Sequence, residues 1–455
     1  MNENLLPDLN TFTPQEKGLR NEISLIIESL LSSADPKIAV KKYLSLDDGI
    51  IKAGDQLIDR DEYEKIYLIA IGKASIPMIR SAALILGENL FKGFAITKKE
   101  SSHEGIGSNI SIICGDHPIP GNKSIFAADT LLEFISEITQ QDLIIFLISG
   151  GGSALITKPG PGLNLADLKE TTHCLLNASV PIQEINTIRK HLDQVKGGGL
   201  LKRAGNARVL TLILSDVVGN DLGVVASGPS IPDASSYADC LNIISKRNLE
   251  RTIPAVVKKY LKNGKLGKIP ETYKSGEFGY QAHKEILIGS IDIALDKVLG
   301  LGNELGYKVH RSTQYLAGDI EAESDRVIRE FTEFSRLTGD EKYLMVWGGE
   351  VTVNRKGSGK GGRNLHMALL CAKAIAGMDD IVGISLATDG EDGSTDAAGA
   401  IFDGSSLERS TQLGLDYSQN LEDQSSYHFF HILGDLLITG STGTNINDIF
   451  ILIKN

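Results

Sequence analysis

The stretch FLISGGGSALITKPG, Phe146–Gly160, closes an apolar run with three successive glycines set between Ser149 and Ser153. A short apolar run ending at glycine reads as a strand buried on both faces, the kind found in parallel α/β sheets. A glycine turn after such a strand exposes backbone N–H groups that can hold phosphate where a helix begins. Ser149, Gly150, Gly151, Gly152 and Ser153 are therefore candidate phosphate contacts, with a ligand-free tight turn as the competing reading. The stretch is not a Walker loop, because Leu155 and Ile156 stand where its second glycine and its lysine belong, and Leu155 also breaks the GxGxxG pattern. A phosphate site here must draw its cation from elsewhere in the chain.

The same pattern recurs on either side. Ile66–Ile71 runs into GKAS, Ile110–Cys114 into GDHPIP, and Val209–Leu214 into SDVVGND. Before them, Thr13-Pro14-Gln15-Glu16 has the form of a capping box, opening a helix expected to end before Pro36. The polar stretch KKYLKNGKLGKIPETYKSGEFGYQAHK reads as a domain boundary, after which the rhythm restarts at Ile286–Ser290, Tyr343–Trp347, Ile381–Ala387, Leu436–Thr439 and Ile449–Ile453. The fold class expected is α/β, with an N-terminal Rossmann-like parallel-sheet domain over 1–283 and a smaller C-terminal α/β domain over 284–455. Ligands of open α/β sheets bind beyond the carboxyl ends of the strands, so two facing sheets would place the site in an interdomain cleft.

The bulk properties suit a globular enzyme. The 455 residues exceed what one hydrophobic core usually organises, and 46 Lys+Arg against 58 Asp+Glu give a net charge of −12, which argues against nucleic acid or anionic membrane as partner. Cys114, Cys174, Cys240 and Cys371 are scattered, which indicates neither a zinc site nor a disulfide framework. No apolar stretch is long enough to span a bilayer, and MNENLLPDLN lacks the features of a signal peptide, so a cytoplasmic location is expected.

Four further loops carry chemistry. Lys73 in AIGKAS lies just past a buried strand and is a candidate for the missing cation. Asp216 and Asp221 in LSDVVGND can orient a hydroxyl, accept its proton or hold Mg²⁺, with helix capping the equal alternative for Asp221. GSGKGGR fits GxGxxG at Gly357, Gly359 and Gly362, yet a loop so rich in glycine satisfies many patterns, and Lys360 with Arg363 makes a better anion clamp. ATDGEDGSTDAAGA gathers Asp389, Glu391, Asp392 and Asp396, hard carboxylates suited to Mg²⁺, although a capping turn is preferred for Asp396. NTIRKHLDQVKGGGLL carries Arg189, Lys190, His191 and Lys196 on a face that is by default solvated, and Glu350 in WGGEVTV is an isolated acid in a strand.

IAIGKAS, ISGGGSAL, NTIRKHLDQVKGGGL, LSDVVGNDLGVVASGPS, WGGEVTV, GKGGRN, TDGEDGSTDAAGA and GSTGTNINDI resemble, in this order, the glycerate 2-kinase family with its C-terminal MOFRL domain. The resemblance implies ATP-dependent phosphorylation of the 2-hydroxyl of D-glycerate, giving 2-phosphoglycerate and ADP, with Mg²⁺ as the accompanying ion. It implies catalytic cations at Lys73 and Arg363 and a phosphate-binding element at Ser149–Ser153. The charge neutralisation and positioning that phosphoryl transfer needs add the expectations of Asp216 as a further catalytic residue, Lys360 at the nucleotide, Arg189, Asn220 and Asp221 at glycerate, and Asp216 or Asp389 beside Mg²⁺. A homodimer is compatible with it. The chain departs from the family pattern at Leu365, His366 and Ser441, positions that bear on polar contacts near Arg363. Two other readings are a hydroxypyruvate reductase using Gly357–Gly362 for a dinucleotide, and a non-catalytic metabolite-binding homologue.

Overall fold

The computed structural model describes residues 17–98, 106–277, 283–339, 341–354 and 356–455. The chain forms two units: Pro36–Ile288, and Gly289–Asn455 together with the chain before Pro36. The expected capping box at Thr13–Glu16 lies outside the described residues.

In the first of these units the strands Ile66–Ile71 and Leu143–Ser149 are buried at every residue, as apolar runs covered on both faces must be. The sheet order is Ile110–Cys114, Leu90–Thr97, Ile66–Ile71, Leu143–Ser149, Arg208–Leu214, His283–Gly289, and the first five strands pair parallel. Counted along the chain this is 3-2-1-4-5-6, the doubly wound order, whose direction reverses between Ile66–Ile71 and Leu143–Ser149. Helix Ser75–Leu86 buries Met78, Ile79 and Ala82, while Asn122–Ser136 adds Ala127, Ala128, Leu131 and Ile135 to the main core. A second core joins Leu175, Ile185, Ile188, Tyr237 and Tyr260 from four further helices. Leu44–Asp47, Ile50–Ala53 and Gln56–Asp59 form a small antiparallel sheet that apolar periodicity did not reveal.

Two expectations are corrected here. The strand containing Ile286 does not begin a new domain; His283–Gly289 is the edge strand of the first sheet. The polar stretch preceding it is no linker either: helix Ala255–Lys265 runs into it, and Tyr273 exchanges backbone hydrogen bonds with Gly197 and Asp233 at 3.2 and 2.8 Å. Its polarity reflects an exposed helix face and a surface return rather than a break between cores.

The other unit holds a seven-stranded sheet in the order Lys308–Arg311, Tyr343–Thr352, Asp448–Lys454, Ile381–Ala387, Gly399–Asp403, Leu436–Leu437, with Leu316–Asp319 also pairing Tyr343–Thr352. It is not a second parallel sheet. Asp448–Lys454 runs antiparallel to both neighbours, and Ile381–Ala387 folds back antiparallel on Gly399–Asp403 through a connection without a helix. Helix Lys17–Ala34 packs against Ile291–Glu304 within this unit, so residues before Pro36 group with the C-terminal segment instead of with 36–283. Ile23, Ile26, Ile27 and Leu30 are fully buried along it.

Candidate functional site

The reversal in strand order leaves a crevice between the carboxyl ends of Ile66–Ile71 and Leu143–Ser149, and the GKAS and SGGGS turns occupy it. The turns are bonded to each other: Lys73 N–H donates to the Gly150 carbonyl at 2.9 Å, and Ala74 N–H to Ser149 Oγ at 3.1 Å. A Cβ on Gly150 would collide with the Asp216 carboxylate, so only glycine lets that acid reach the turn. Gly151 has φ +84°, and a Cβ there would stand 3.0 Å from Lys73 Cγ and 3.3 Å from His117 Nε2. The helix that follows, Gly152–Leu155, has only four residues, so its dipole adds little and any anion here would be held by local N–H groups and side chains. The Lys73 side chain thus comes to the loop from the neighbouring strand, and among the described residues no carboxylate forms an ion pair with it.

The turn after Arg208–Leu214 closes another side. Asn220, Ala226 and Ser227 all have positive φ, a strain of about 1–3 kcal/mol each that surrounding contacts must hold. Ser227 Oγ lies 2.7 Å from Ser153 Oγ and 3.3 Å from Asn186 Oδ1, which ties this turn to the glycine loop. Asp221 is exposed and accepts a hydrogen bond from Gly223 N–H at 3.0 Å, so its observed work is to shape the turn.

Beside Ser153 opens a cavity of about 400 Å³, lined among others by Pro118, Leu168, Arg189, Asp193 and Lys196. Burial works against the Arg189 charge, and among the described residues no carboxylate pairs with it, so the cavity offers an anion a ready partner. The other basic groups of this segment are engaged, contrary to the expected solvated face. Lys190 pairs with Asp233 at 3.4 Å. His191 is 2 % exposed and bonds to Thr187 O and Glu271 at 2.8 and 3.1 Å. Lys196 is buried against Asp193 at 2.5 Å and the Ile156 carbonyl at 3.0 Å, with Thr157 and two backbone N–H groups satisfying the same carboxylate. Burial lowers the Lys196 pKa while Asp193 opposes that shift.

In the unit that contains Gly289–Asn455, Arg363 opens helix Arg363–Ala374 and is held by a bidentate pair with buried Asp448 and by Glu350. Asp448 keeps the guanidinium firmly protonated. Asp392 caps this helix, accepting from the N–H groups of Asn364 and Leu365 at 3.1 and 2.8 Å. Asp389 accepts from Glu391 N–H at 3.2 Å. Lys360 sits 4.0 Å above the Tyr427 ring and 3.9 Å from Asp396. The Gly357 and Gly359 positions press on the backbone of Asp423–Ser425, and Gly359 N–H bonds to the Asp423 carbonyl at 2.8 Å, so packing accounts for glycines that resembled a dinucleotide turn. The strands flanking this loop and its helix are also separated by the antiparallel Asp448–Lys454, unlike the adjacent parallel pair of a dinucleotide-binding unit. Leu365 is a core residue and His366 is buried, so neither faces solvent. Among the described residues no group of three or more His, Cys, Asp or Glu side chains could hold a metal ion.

A profile described as a domain of unknown function, DUF4147, matches residues 22–262, and the MOFRL family matches residues 343–448. The D-glycerate 2-kinase of Thermotoga maritima is 36% identical over 404 residues, covering 88% of this chain and 93% of its own length. The glycerate 2-kinase of Pyrococcus horikoshii is 36% identical over 444 residues, covering 96% of this chain and 97% of its own. The chain belongs to the glycerate 2-kinase family. A crystal structure of the Thermotoga maritima glycerate kinase superposes with a TM-score of 0.83 at 33% identity, over 97% of this chain and all (100%) of that one.

As a member of the glycerate 2-kinase family the chain shows the two-part α/β architecture its motifs implied, and it is an enzyme, a kinase. Two residues at the crevice escaped the sequence reading. His117 belonged to a turn noted only as a strand terminator, and its position just past a buried strand was the available signal. Asp193 gave no signal, because its burial depends on Lys196 folding back upon it.

Proposed function

We propose that this protein transfers the γ-phosphoryl group of ATP to the 2-hydroxyl of D-glycerate, giving 2-phosphoglycerate and ADP. The observation that carries the reading is the junction of Lys73 and Asp216 on the SGGGS loop, beside a cavity holding a half-buried Arg189 that pairs with no carboxylate among the described residues. Phosphoryl transfer asks the protein mainly for charge neutralisation and in-line positioning. Backbone N–H groups of Gly150–Gly152 and the hydroxyls of Ser149 and Ser153 take the nucleotide phosphates, and the Lys73 ammonium balances charge on the transferring group. Arg189 binds the glycerate carboxylate, with Asn220 as neighbouring donor. Mg²⁺ bound with the nucleotide would supply further neutralisation of its phosphates, and Asp216 or Asp389 would each support it as a single carboxylate. Arg363 is assigned the second catalytic cation and Lys360 a nucleotide contact, on the strength of their GKGGRN motif. We also place the protein in the cytoplasm; among the described residues no helix is long and apolar enough to cross a membrane, and the four cysteines are free.

The test is a coupled assay: D-glycerate and Mg-ATP, followed by enolase with no phosphoglycerate mutase. Phosphoenolpyruvate should form directly. ATP consumption without phosphoenolpyruvate would refute 2-phosphorylation, and NADH oxidation with hydroxypyruvate would favour a reductase.

A further inference from the structure

The turn after Ile110–Cys114 is pressed onto the glycine loop: a Cβ on Gly115 would collide with the Leu155 carbonyl. Within that turn His117 Nε2 lies 3.3 Å from the Cβ position of Gly151, which Lys73 Cγ approaches to 3.0 Å from another side. The residues that follow it, Pro118, Ile119 and Pro120, line the cavity that holds Arg189 and Ser153. The imidazole therefore stands against the glycine loop, in the residue just before the segment that lines the cavity. It is half-buried, and among the described residues its ring makes no hydrogen bond.

We propose that His117 is a further catalytic residue, whose Nε2 accepts the proton of the acceptor's 2-hydroxyl during phosphoryl transfer. The proposal rests on the phosphotransferase reading above. The hydroxyl oxygen forms the new bond to the γ-phosphorus, and the bond from that phosphorus to the bridging oxygen breaks with its electron pair leaving on ADP. The hydroxyl proton passes to the imidazole and then to solvent. A base must be neutral before the step, and the surroundings of His117 favour that state. Burial, Lys73 and Lys98 hold its pKa below the ordinary 6.5. The neighbouring acids are engaged elsewhere: Asp216 packs on Gly150, and Asp116 accepts from Lys123 N–H at 2.9 Å.

The test compares wild type with His117→Asn and His117→Gln in the enolase-coupled assay across a range of pH. A positioned base contributes about 10²-fold or more, so kcat should fall by roughly that factor in both variants, with both KM values changed only a few-fold. The wild-type profile should show an acid limb with its midpoint below 6.5, and both variants should lack it. Unchanged kcat, or a loss confined to KM with the acid limb retained, overturns the role. If the variants melt early, His117→Ala supplemented with imidazole decides: recovered turnover supports the base, and none refutes it. A wild type that yields no phosphoenolpyruvate overturns the phosphotransferase reading as well, whereas an active wild type with unaltered variants sinks the His117 role alone.

Discussion

Lys73 and Arg363 carry the same charge and the same motif-based assignment, yet their surroundings make their removal physically different. Among the described residues Lys73 has no carboxylate to leave behind, whereas Arg363 neutralises an Asp448 that is 5% exposed. Lys73→Ala should therefore keep its melting temperature and lose about 10²–10³-fold in kcat, the loss typical of one missing charge stabiliser. Arg363→Ala should also unfold more easily, by about 3–5 kcal/mol, because a buried carboxylate is left unpaired. Urea titration beside single-turnover kinetics separates the two effects, and pairing the change with Asp448→Asn should recover part of the stability. Near-normal turnover of Lys73→Ala would withdraw its assignment. Residue identity alone does not distinguish these two cations; their partners do.

Elements acquire their roles from neighbours too. The edge strand His283–Gly289 has an amphipathic pattern that reads equally well as the start of a second domain, and only pairing with Arg208–Leu214 places it. His283 marks that placement: it lies 3.2 Å from Thr211 Oγ1, and burial followed by Arg208 lowers its pKa to about 4. In the unfolded chain it returns towards 6.5, so between these values the unfolded state binds the extra proton. The stabilising contribution is complete above 6.5 and is lost as pH falls through the window towards 4. The loss should be on the order of 3 kcal/mol at most. Urea unfolding of wild type and His283→Asn should show a flatter pH dependence in the variant across that range. Glu285, 3.4 Å away with its own pKa raised by burial, titrates nearby and is best removed in a parallel control.

For the molecule as a whole, contiguity in sequence and contiguity in space part company before Pro36. Helix Lys17–Ala34 fully buries Ile23, Ile26, Ile27 and Leu30 and packs on Ile291–Glu304, while Glu22 receives a hydrogen bond from Tyr307. Full burial of such a side chain contributes about 1.5–3 kcal/mol. A fragment over 289–455 should therefore melt well below the same fragment fused to residues 1–35, and should bind a hydrophobic dye that the fusion does not. Equal melting temperatures would show that the helix adds nothing to that unit. The fragment 36–288, by contrast, carries its own two apolar cores and should unfold cooperatively by itself.

The sequence by itself determined the elements and where their turns fall. Ile66–Ile71, Ile110–Cys114 and Ile381–Ala387 have the bounds their apolar runs dictate, and the glycine turns fall where the strands stop. Burial on both faces is written locally, as an unbroken run, and a turn is written locally, as residues tolerant of its backbone angles. The SGGGS loop was legible as a glycine turn after a buried strand for the same reason. Tertiary structure alone decided the strand order, the antiparallel entry of Asp448–Lys454, and the meeting of Lys73, His117 and Asp216 around Gly150 and Gly151. It also decided that Lys196, basic and on a polar segment, is buried against Asp193. These are contacts between residues far apart in the chain or dependent on burial, and hydrophobic period carries no record of which strand lies beside which. The missing lysine of the glycine loop was a property of one segment; the approach of Lys73 to that loop is a property of the sheet.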